Sequence, residues 1–115
     1  MKLLKNFGYA WKGFNVAVKD EPNLKIHLAM AAIVIGMGFY FKVSSVEWMV
    51  LLILIGLVIS LELINSAIES LTDLVTKERL PLAGKVKDIA AAAVLTISVI
   101  ALLVGIIIFK KYIFE

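Results

Sequence analysis

The stretch WMVLLILIGLVISLELINSAIESLTD, residues 48–73, decides the fold, because a long apolar run continues directly into a series of polar side chains. The apolar part can enter a bilayer, and neither a proline nor a turn motif separates it from the polar part. Glu62, Asn65, Glu69 and Asp73 come next, although ionisable groups at membrane depth cost about 2.5–3.5 kcal/mol each on insertion scales. These side chains are therefore expected to face protein rather than lipid, and they are the first candidates for function.

The composition of the chain places it among integral membrane proteins. Its 115 residues are 62% hydrophobic, and its mean hydropathy is +0.99, whereas soluble domains are about 45–50% apolar. A soluble domain of this length has too little interior to bury so much apolar surface. The length predicts a single domain, residues 1–115. The chain has no cysteine, which excludes disulfides and thiolate metal ligands.

Three apolar segments predict three transmembrane helices. Each is close to the roughly 20 residues that a spanning helix needs. None alternates as a barrel strand does, and only helices and closed barrels satisfy the backbone polar groups in lipid. The predicted helices cover about residues 24–41, 46–64 continuing to about 75, and 86–110.

Ahead of these segments, residues 3–19 predict a basic amphipathic helix that lies on the membrane surface. Apolar side chains recur every three or four residues, and the lysines fall on other sides of the helical wheel. DEPN, residues 20–23, is expected to end this helix, because Pro22 cannot continue a helix interior. KERLPLAG, residues 77–84, is expected to form the loop before the last helix, with a proline and a glycine as its turn residues.

The positive charge is distributed as in membrane proteins. The net charge is +3 and the pI is about 9.2, but the lysines and Arg79 flank the apolar segments instead of forming one patch. No nucleic-acid partner is therefore expected. The loop after the first segment carries Lys42, and the regions on either side of that hairpin carry more positive charge. The positive-inside rule then places the N-terminus and residues 77–87 in the cytoplasm.

The polar residues after the second apolar segment share one face of the predicted helix. At about 100° per residue, with Glu62 taken as zero, Glu69 lies at about 340° and Asp73 at about 20°. Such a face is typical of hydrogen bonding between helices, of an ion or proton path, or of a metal-assisted catalytic site. Carboxylates that face one another repel, which disfavours the first function. Carboxylate oxygens suit Mg²⁺ that is shared with substrate phosphates, which favours the third.

Residues elsewhere in the chain also favour a catalytic site. Glu21 lies at the turn between the surface helix and the first span, where it could approach Glu69 and share a divalent cation with it. Lys85 and Lys87 lie at the start of the third span, where a lysine can meet phosphate oxygens. The sequence has no P-loop and no protein-kinase motif, so phosphoryl transfer here would use other parts.

Several segments resemble the signature of the small bacterial integral-membrane lipid kinases, the family of diacylglycerol and undecaprenol kinases. They are ELINSAIESLTD, residues 62–73, LAGKVKDIAAAAVL, residues 82–95, and YAWKGFNVAVKDEPN, residues 9–23. The resemblance implies an all-α membrane protein with an N-terminal amphipathic surface helix and three transmembrane helices. It also implies a homotrimeric bundle with active sites between subunits, in the bacterial inner membrane, with the N-terminus and the active site on the cytoplasmic side.

The reaction that the resemblance implies is Mg²⁺-dependent transfer of the γ-phosphoryl group of ATP to the hydroxyl of a membrane lipid. Carried over by position, Glu62 is the general base, and Glu21 and Glu69 bind Mg²⁺ together with ATP. Asn65 and Asp73 support this site. The resemblance places further nucleotide contacts on Tyr9, Glu78, Arg79, Leu80, Lys87 and Asp88.

The acceptor expected from the resemblance is undecaprenol, because residues 21–27 and 73–88 are similar to the undecaprenol kinase branch. The enterobacterial diacylglycerol kinases carry an Arg at the position of Lys2 and a Glu at the position of His27. His27 is expected to be an interfacial residue without a chemical role, and Glu47 a residue of the external turn with little role. Diacylglycerol is the alternative acceptor, and a small oligomeric ion-conducting or transport protein is the alternative outside the enzymes.

Overall fold

The computed structural model describes residues 1–114, and this part of the chain folds into helices alone. The fold class predicted from the sequence is confirmed: an amphipathic helix precedes three helices that are long and apolar enough to span a membrane. In chain order the helices are α1 (Lys2–Asp20), α2 (Pro22–Phe41), α3 (Ser45–Val75) and α4 (Pro81–Phe114).

Prolines set two of the helix boundaries. Pro22 is the first residue of α2, and Glu21 before it is extended, so α1 ends and α2 begins around a single residue. Pro81 is likewise the first residue of α4. The loop expected over residues 77–84 is therefore shorter than predicted. A proline fits the first turn of a helix because its missing N–H would have no intrahelical partner there.

The turn between α2 and α3 is tight and well capped. Lys42 takes the left-handed conformation, with φ 53° and ψ 55°, and ends α2. Ser44 and Glu47 then form a capping box, in which each side chain accepts the backbone N–H of the other residue. Gly38 lies against the Trp48 ring, and a Cβ at this position would come within 2.6 Å of a ring carbon. The close approach of α2 to α3 therefore needs a glycine.

α3 is the central helix of the chain, since it packs against α4, α2 and α1. A small core of Val43, Leu51, Ile108 and Phe109 joins the helices at the end of the bundle near the α2–α3 turn. Many other large apolar side chains are exposed along the three spanning helices. This is the surface that lipid chains or further subunits cover in a membrane.

The length of α3 determines the depth of its polar residues. Its 31 residues extend over about 46 Å at 1.5 Å per residue, whereas the hydrocarbon core of a bilayer is about 30 Å thick. If α3 enters the hydrocarbon near Ser45, about 20 residues cross it. Glu62 then lies just inside the apolar region, and Glu69 and Asp73 lie at the level of the headgroups.

Candidate active site

Three buried polar residues mark the candidate site on α3. Glu62, Asn65 and Ser66 are 2%, 7% and 8% exposed, and they are the buried polar residues among residues 1–114. They lie on adjoining turns of one helix face, as the sequence predicts. Burial of a carboxylate in a chain whose surface is mostly apolar indicates a site rather than a solvated face.

Glu62 is contacted by a histidine from the neighbouring helix. His27 Nε2 of α2 lies 3.7 Å from Glu62 Oε2, which is the distance of an ion pair and too long for a direct hydrogen bond. No other side chain within residues 1–114 forms an ion pair or hydrogen bond with Glu62 in this structure. The sequence interpretation of His27, an interfacial residue without a chemical role, misses this contact.

Asn65 connects the next two turns of α3. Its amide nitrogen donates a hydrogen bond of 3.4 Å to Glu69 Oε1. The amide oxygen of Asn65 and the hydroxyl of Ser66 are buried without a protein partner, although such groups normally find one. A cavity of about 580 Å³ opens between α1 and α3, and Ser66 and Glu21 are among the residues that line it.

The carboxylates of this region fit a magnesium ion that is completed by substrate. Glu69 lies two turns after Glu62 on α3, and Glu21 lines the cavity beside Ser66. Within residues 1–114 no group of three or more acidic or histidine side chains forms a complete ligand set. Mg²⁺ needs fewer protein ligands than that, because it commonly takes one or two carboxylates and completes its coordination shell with water and phosphate oxygens. The free oxygen of Asn65 is a further donor of the right type.

A second polar contact joins α3 to α4 at the same end of the bundle. Lys87 Nζ lies 2.6 Å from Asp73 Oδ1. The two side chains are 39% and 62% exposed, so solvent screens the pair and its net contribution to folding is small. In an exposed pair of this kind, Lys87 can release Asp73 and bind a phosphate group instead. The structure thus brings together two residues that the sequence assigns to one site.

The remaining predicted nucleotide contacts do not reach the buried residues of α3 within one chain. Tyr9 is 71% exposed on α1. The other four, which lie in the α3–α4 turn and the first turns of α4, are also exposed: Glu78, Arg79, Leu80 and Asp88. The single chain therefore presents parts of the predicted nucleotide site on its surface without enclosing them.

A polar cluster at the opposite end was missed by the sequence interpretation. Glu47 accepts hydrogen bonds from Tyr112 Oη at 2.5 Å and from the backbone N–H of Ser44 at 3.0 Å. Lys111 Nζ lies 2.8 Å from its other oxygen. These contacts touch none of the site residues, but they fasten the start of α3 to the end of α4. The Ser-x-x-Glu spacing reveals the cap in the sequence, whereas the partners on α4 depend on tertiary packing.

Comparison with known proteins finds relatives that match nearly the whole chain. The family model of prokaryotic diacylglycerol kinase matches residues 8–109. An undecaprenol kinase of Bacillus subtilis is 41% identical over 108 residues, which cover 94% of this chain and 88% of the relative. A diacylglycerol kinase of Synechocystis is 36% identical over a stretch that covers 90% of this chain and 59% of the relative. The diacylglycerol kinase of Escherichia coli K12 is 28% identical over a stretch that covers 89% of this chain and 84% of the relative.

The matched range contains most of α1, all of α2 and α3, and most of α4. It therefore includes the buried residues of α3, the α1–α2 junction and the Asp73–Lys87 contact. The relatives are named as kinases of membrane lipids, which agrees with three membrane-spanning helices and a carboxylate site. The chain belongs to the prokaryotic diacylglycerol kinase family, and it is a membrane lipid kinase that transfers a phosphoryl group from ATP.

Proposed function

We propose that this enzyme phosphorylates undecaprenol at the cytoplasmic face of the bacterial inner membrane, giving undecaprenyl phosphate. The acceptor is inferred from the 41% identity to the undecaprenol kinase of Bacillus subtilis. The observation that carries the site assignment is the burial of Glu62 at the end of the apolar part of α3. A carboxylate there can meet a hydroxyl that is anchored in the membrane by its own apolar chain.

Glu62 acts as the general base in this proposal. Its carboxylate accepts the proton of the lipid hydroxyl while the hydroxyl oxygen forms a bond to the γ-phosphorus. The bond between that phosphorus and the β,γ-bridging oxygen breaks, and ADP leaves with the bond electrons. A base with no strong hydrogen bond to another side chain, such as Glu62, is free to take this proton.

Glu21 and Glu69 hold the metal in this proposal. Bound Mg²⁺ supplies charge neutralisation at the phosphate oxygens of ATP. The hydrogen bond from Asn65 orients the Glu69 carboxylate, which is how outer partners commonly fix a metal ligand. The cavity between α1 and α3 gives the polyphosphate room beside Glu21.

Residues on both sides of the α3–α4 turn bind the nucleotide in this proposal. Lys87 exchanges Asp73 for a phosphate oxygen of ATP, so that one charged partner replaces another. The exposed residues Tyr9, Glu78, Arg79, Leu80 and Asp88 contact the rest of the nucleotide.

We further propose that the enzyme is a homotrimer whose sites lie between subunits. The exposed apolar faces of the spanning helices support such an assembly. It would also enclose nucleotide contacts that one chain leaves on its surface. The N-terminus and the Lys77–Lys87 region would then face the cytoplasm, where ATP is found.

The test uses purified protein in mixed micelles with Mg²⁺ and γ-labelled ATP, with undecaprenol or diacylglycerol as separate acceptors. We expect label in undecaprenyl phosphate, and its loss in a Glu69→Gln variant. Glu47→Gln makes the same chemical change at the opposite end of the bundle and should keep activity. Preference for diacylglycerol would overturn the acceptor. Activity retained by Glu69→Gln would overturn the metal-site assignment.

A further inference from the structure

The buried carboxyl of Glu62 has to lose a proton in every catalytic cycle. In the proposed reaction Glu62 takes the proton of the lipid hydroxyl, and the next cycle begins only when this carboxyl is ionised again. The Glu62 side chain is 3% exposed, so water has almost no direct access to it. Asn65 and Ser66 are the other buried polar residues on this face of α3, and their side chains do not gain and lose protons near neutral pH. Another group therefore has to carry the proton away.

His27 is the only ionisable side chain that lies against Glu62 within residues 1–114. Its Nε2 lies 3.7 Å from Glu62 Oε2. The apolar stretches of the three spanning helices contain no alternative, because His27 is the single ionisable residue in residues 26–39, 48–61 and 89–109. A proton that leaves Glu62 through a side chain of its own subunit therefore leaves through His27.

The other charged groups at this end of the bundle are engaged elsewhere. Lys25 is exposed and lies about 160° around α2 from His27. Glu69 lies two turns beyond Glu62 and accepts a hydrogen bond from Asn65. The acidic residues at the end of α1 line the cavity between α1 and α3, to which His27 does not contribute: Asp20 and Glu21.

The chemistry and the position of His27 suit the transfer of a proton. An imidazole gains and loses a proton between about pH 5 and 8, so it exchanges protons with a carboxyl group and with water alike. The His27 side chain is 21% exposed, against 3% for Glu62, and so it reaches both the buried carboxyl and the protein surface. It lies about 8 Å along α2 from Pro22, the first residue of the helix. The ring is therefore close to the level of the headgroups, where water is present.

We propose that His27 carries the proton from Glu62 to water after each phosphoryl transfer. This proposal rests on the proposed role of Glu62 as the base, and His27 acts through Glu62 rather than on the substrate. A rotation of the imidazole that brings Nε2 about 1 Å closer to Oε2 gives a hydrogen bond of ordinary length. The O–H bond of the Glu62 carboxyl then breaks with its electron pair left on oxygen, and an N–H bond forms at Nε2 of the neutral ring. The imidazolium releases this proton to water, which leaves Glu62 ionised and His27 neutral for the next cycle.

The first test uses the place of this step after phosphoryl transfer. A slower step after the transfer lowers kcat and leaves kcat/KM unchanged, whereas loss of a substrate contact lowers kcat/KM. His27→Gln keeps a polar side chain that cannot carry a proton. We expect its kcat to fall about tenfold or more, while kcat/KM for ATP and for undecaprenol changes less than about twofold. Labelled undecaprenyl phosphate should then appear in a burst of about one molecule per site, followed by a slow steady rate.

The second test is chemical rescue. His27→Ala leaves a space beside Glu62 for free imidazole, which should raise the steady rate of this variant without raising the size of its burst. Pyrazole, a ring of the same size that is far less basic, should leave the steady rate unchanged. Lys25→Gln removes a protonatable side chain from the same turn of α2 and is the matched control. It should show neither a burst nor a response to imidazole.

Particular outcomes would overturn the proposal. A wild-type steady rate in His27→Gln, or a lowered kcat/KM without a burst, would show that His27 does not act after the transfer. Rescue that is absent, or equal with pyrazole, would show that the His27 ring fills space instead of carrying a proton. Glu62→Gln separates this inference from its premise. If that variant completes a first turnover at the wild-type rate, the proposed base is wrong; if it completes none while His27→Gln shows no burst, only the present inference falls.

Discussion

At the scale of single residues, the site depends on side chains that orient other side chains. Asn65 is 7% exposed and gives its amide hydrogen to Glu69, while its oxygen has no protein partner. In the proposed site this amide fixes a metal ligand on one side and offers a donor atom on the other. Asn65 therefore acts on metal affinity without being a charged ligand itself.

Asn65→Ala should weaken the response to Mg²⁺. The Glu69 carboxylate loses the contact that orients it, and changes of this kind typically cost about 10–100-fold in metal affinity or activity. The measurement is the rate of lipid phosphorylation as free Mg²⁺ is titrated at saturating ATP. Ser60→Ala, at an exposed position on α3 outside the cavity lining, serves as the control. An unchanged Mg²⁺ midpoint in Asn65→Ala would show that Glu69 needs no such support.

Lys87 should matter for ATP and hardly at all for folding. Lys87→Met is expected to raise the KM for ATP about tenfold or more, because a phosphate contact in a charge-assisted hydrogen bond is lost. The KM of Lys87→Arg for ATP should lie between those of the wild type and Lys87→Met, since a guanidinium keeps the charge but changes its geometry. The thermal midpoint should move little, because the Asp73 pair is largely exposed. A large fall in the midpoint with an unchanged KM would make Lys87 a structural residue instead.

At the scale of elements, the turn between α2 and α3 brings His27 to Glu62. Gly38 is buried against Trp48, whose ring centroid also lies 4.9 Å from that of Phe39. Any side chain at residue 38 must therefore displace a ring that is already packed. Because α2 is a rigid helix, a shift at this turn reaches the His27 end as well.

Gly38→Ala should destabilise the protein by about 1–3 kcal/mol, the usual cost of overpacking. The measurement is the thermal midpoint in detergent, with Gly36→Ala as the control because its added methyl group meets no atom within 4 Å. Combining Gly38→Ala with Trp48→Phe should recover part of the loss, since the smaller ring frees the space. Equal midpoints for the Gly36 and Gly38 variants would show that the Trp48 ring moves aside without cost.

The elements themselves could be predicted from the sequence because apolar run length and the prolines determine them. Both prolines were expected in the turns before their helices, but Pro22 is the first residue of α2 and Pro81 is the first residue of α4. The proximity of Glu62 and Asn65 is a consequence of helical periodicity alone. The contact with His27 is not, because the pattern of one chain does not specify which faces of two apolar helices meet.

At the scale of the whole molecule, the single chain leaves residues of the predicted site exposed, which an isolated monomer in lipid does not account for. Three of its predicted nucleotide contacts, Glu78, Arg79 and Leu80, lie on the surface at the α3–α4 turn, and its buried carboxylate lies on α3 towards α2. Asp73 and Glu62 are separated by about 16 Å along α3, so Lys87, which pairs with Asp73, is far from the Glu62 of its own chain. A site shared between subunits would unite Glu62 of one chain with Lys87 of another.

The proposed trimer predicts complementation between an inactive variant, Glu62→Gln, and a weakened one, Lys87→Met, when both are assayed at an ATP concentration well below the KM of Lys87→Met. In trimers assembled at random from equal amounts of Glu62→Gln and Lys87→Met chains, a site needs an intact Glu62 from one subunit and an intact Lys87 from the next. Each condition holds for half of the chains, so about a quarter of the sites in a closed ring are complete. We expect about a quarter of wild-type activity after the two variants are unfolded together and refolded, and only the low residual activity of the Lys87→Met chains when they are refolded apart and then mixed. Activity that stays at the level of the separate variants would place both residues of a working site in one chain.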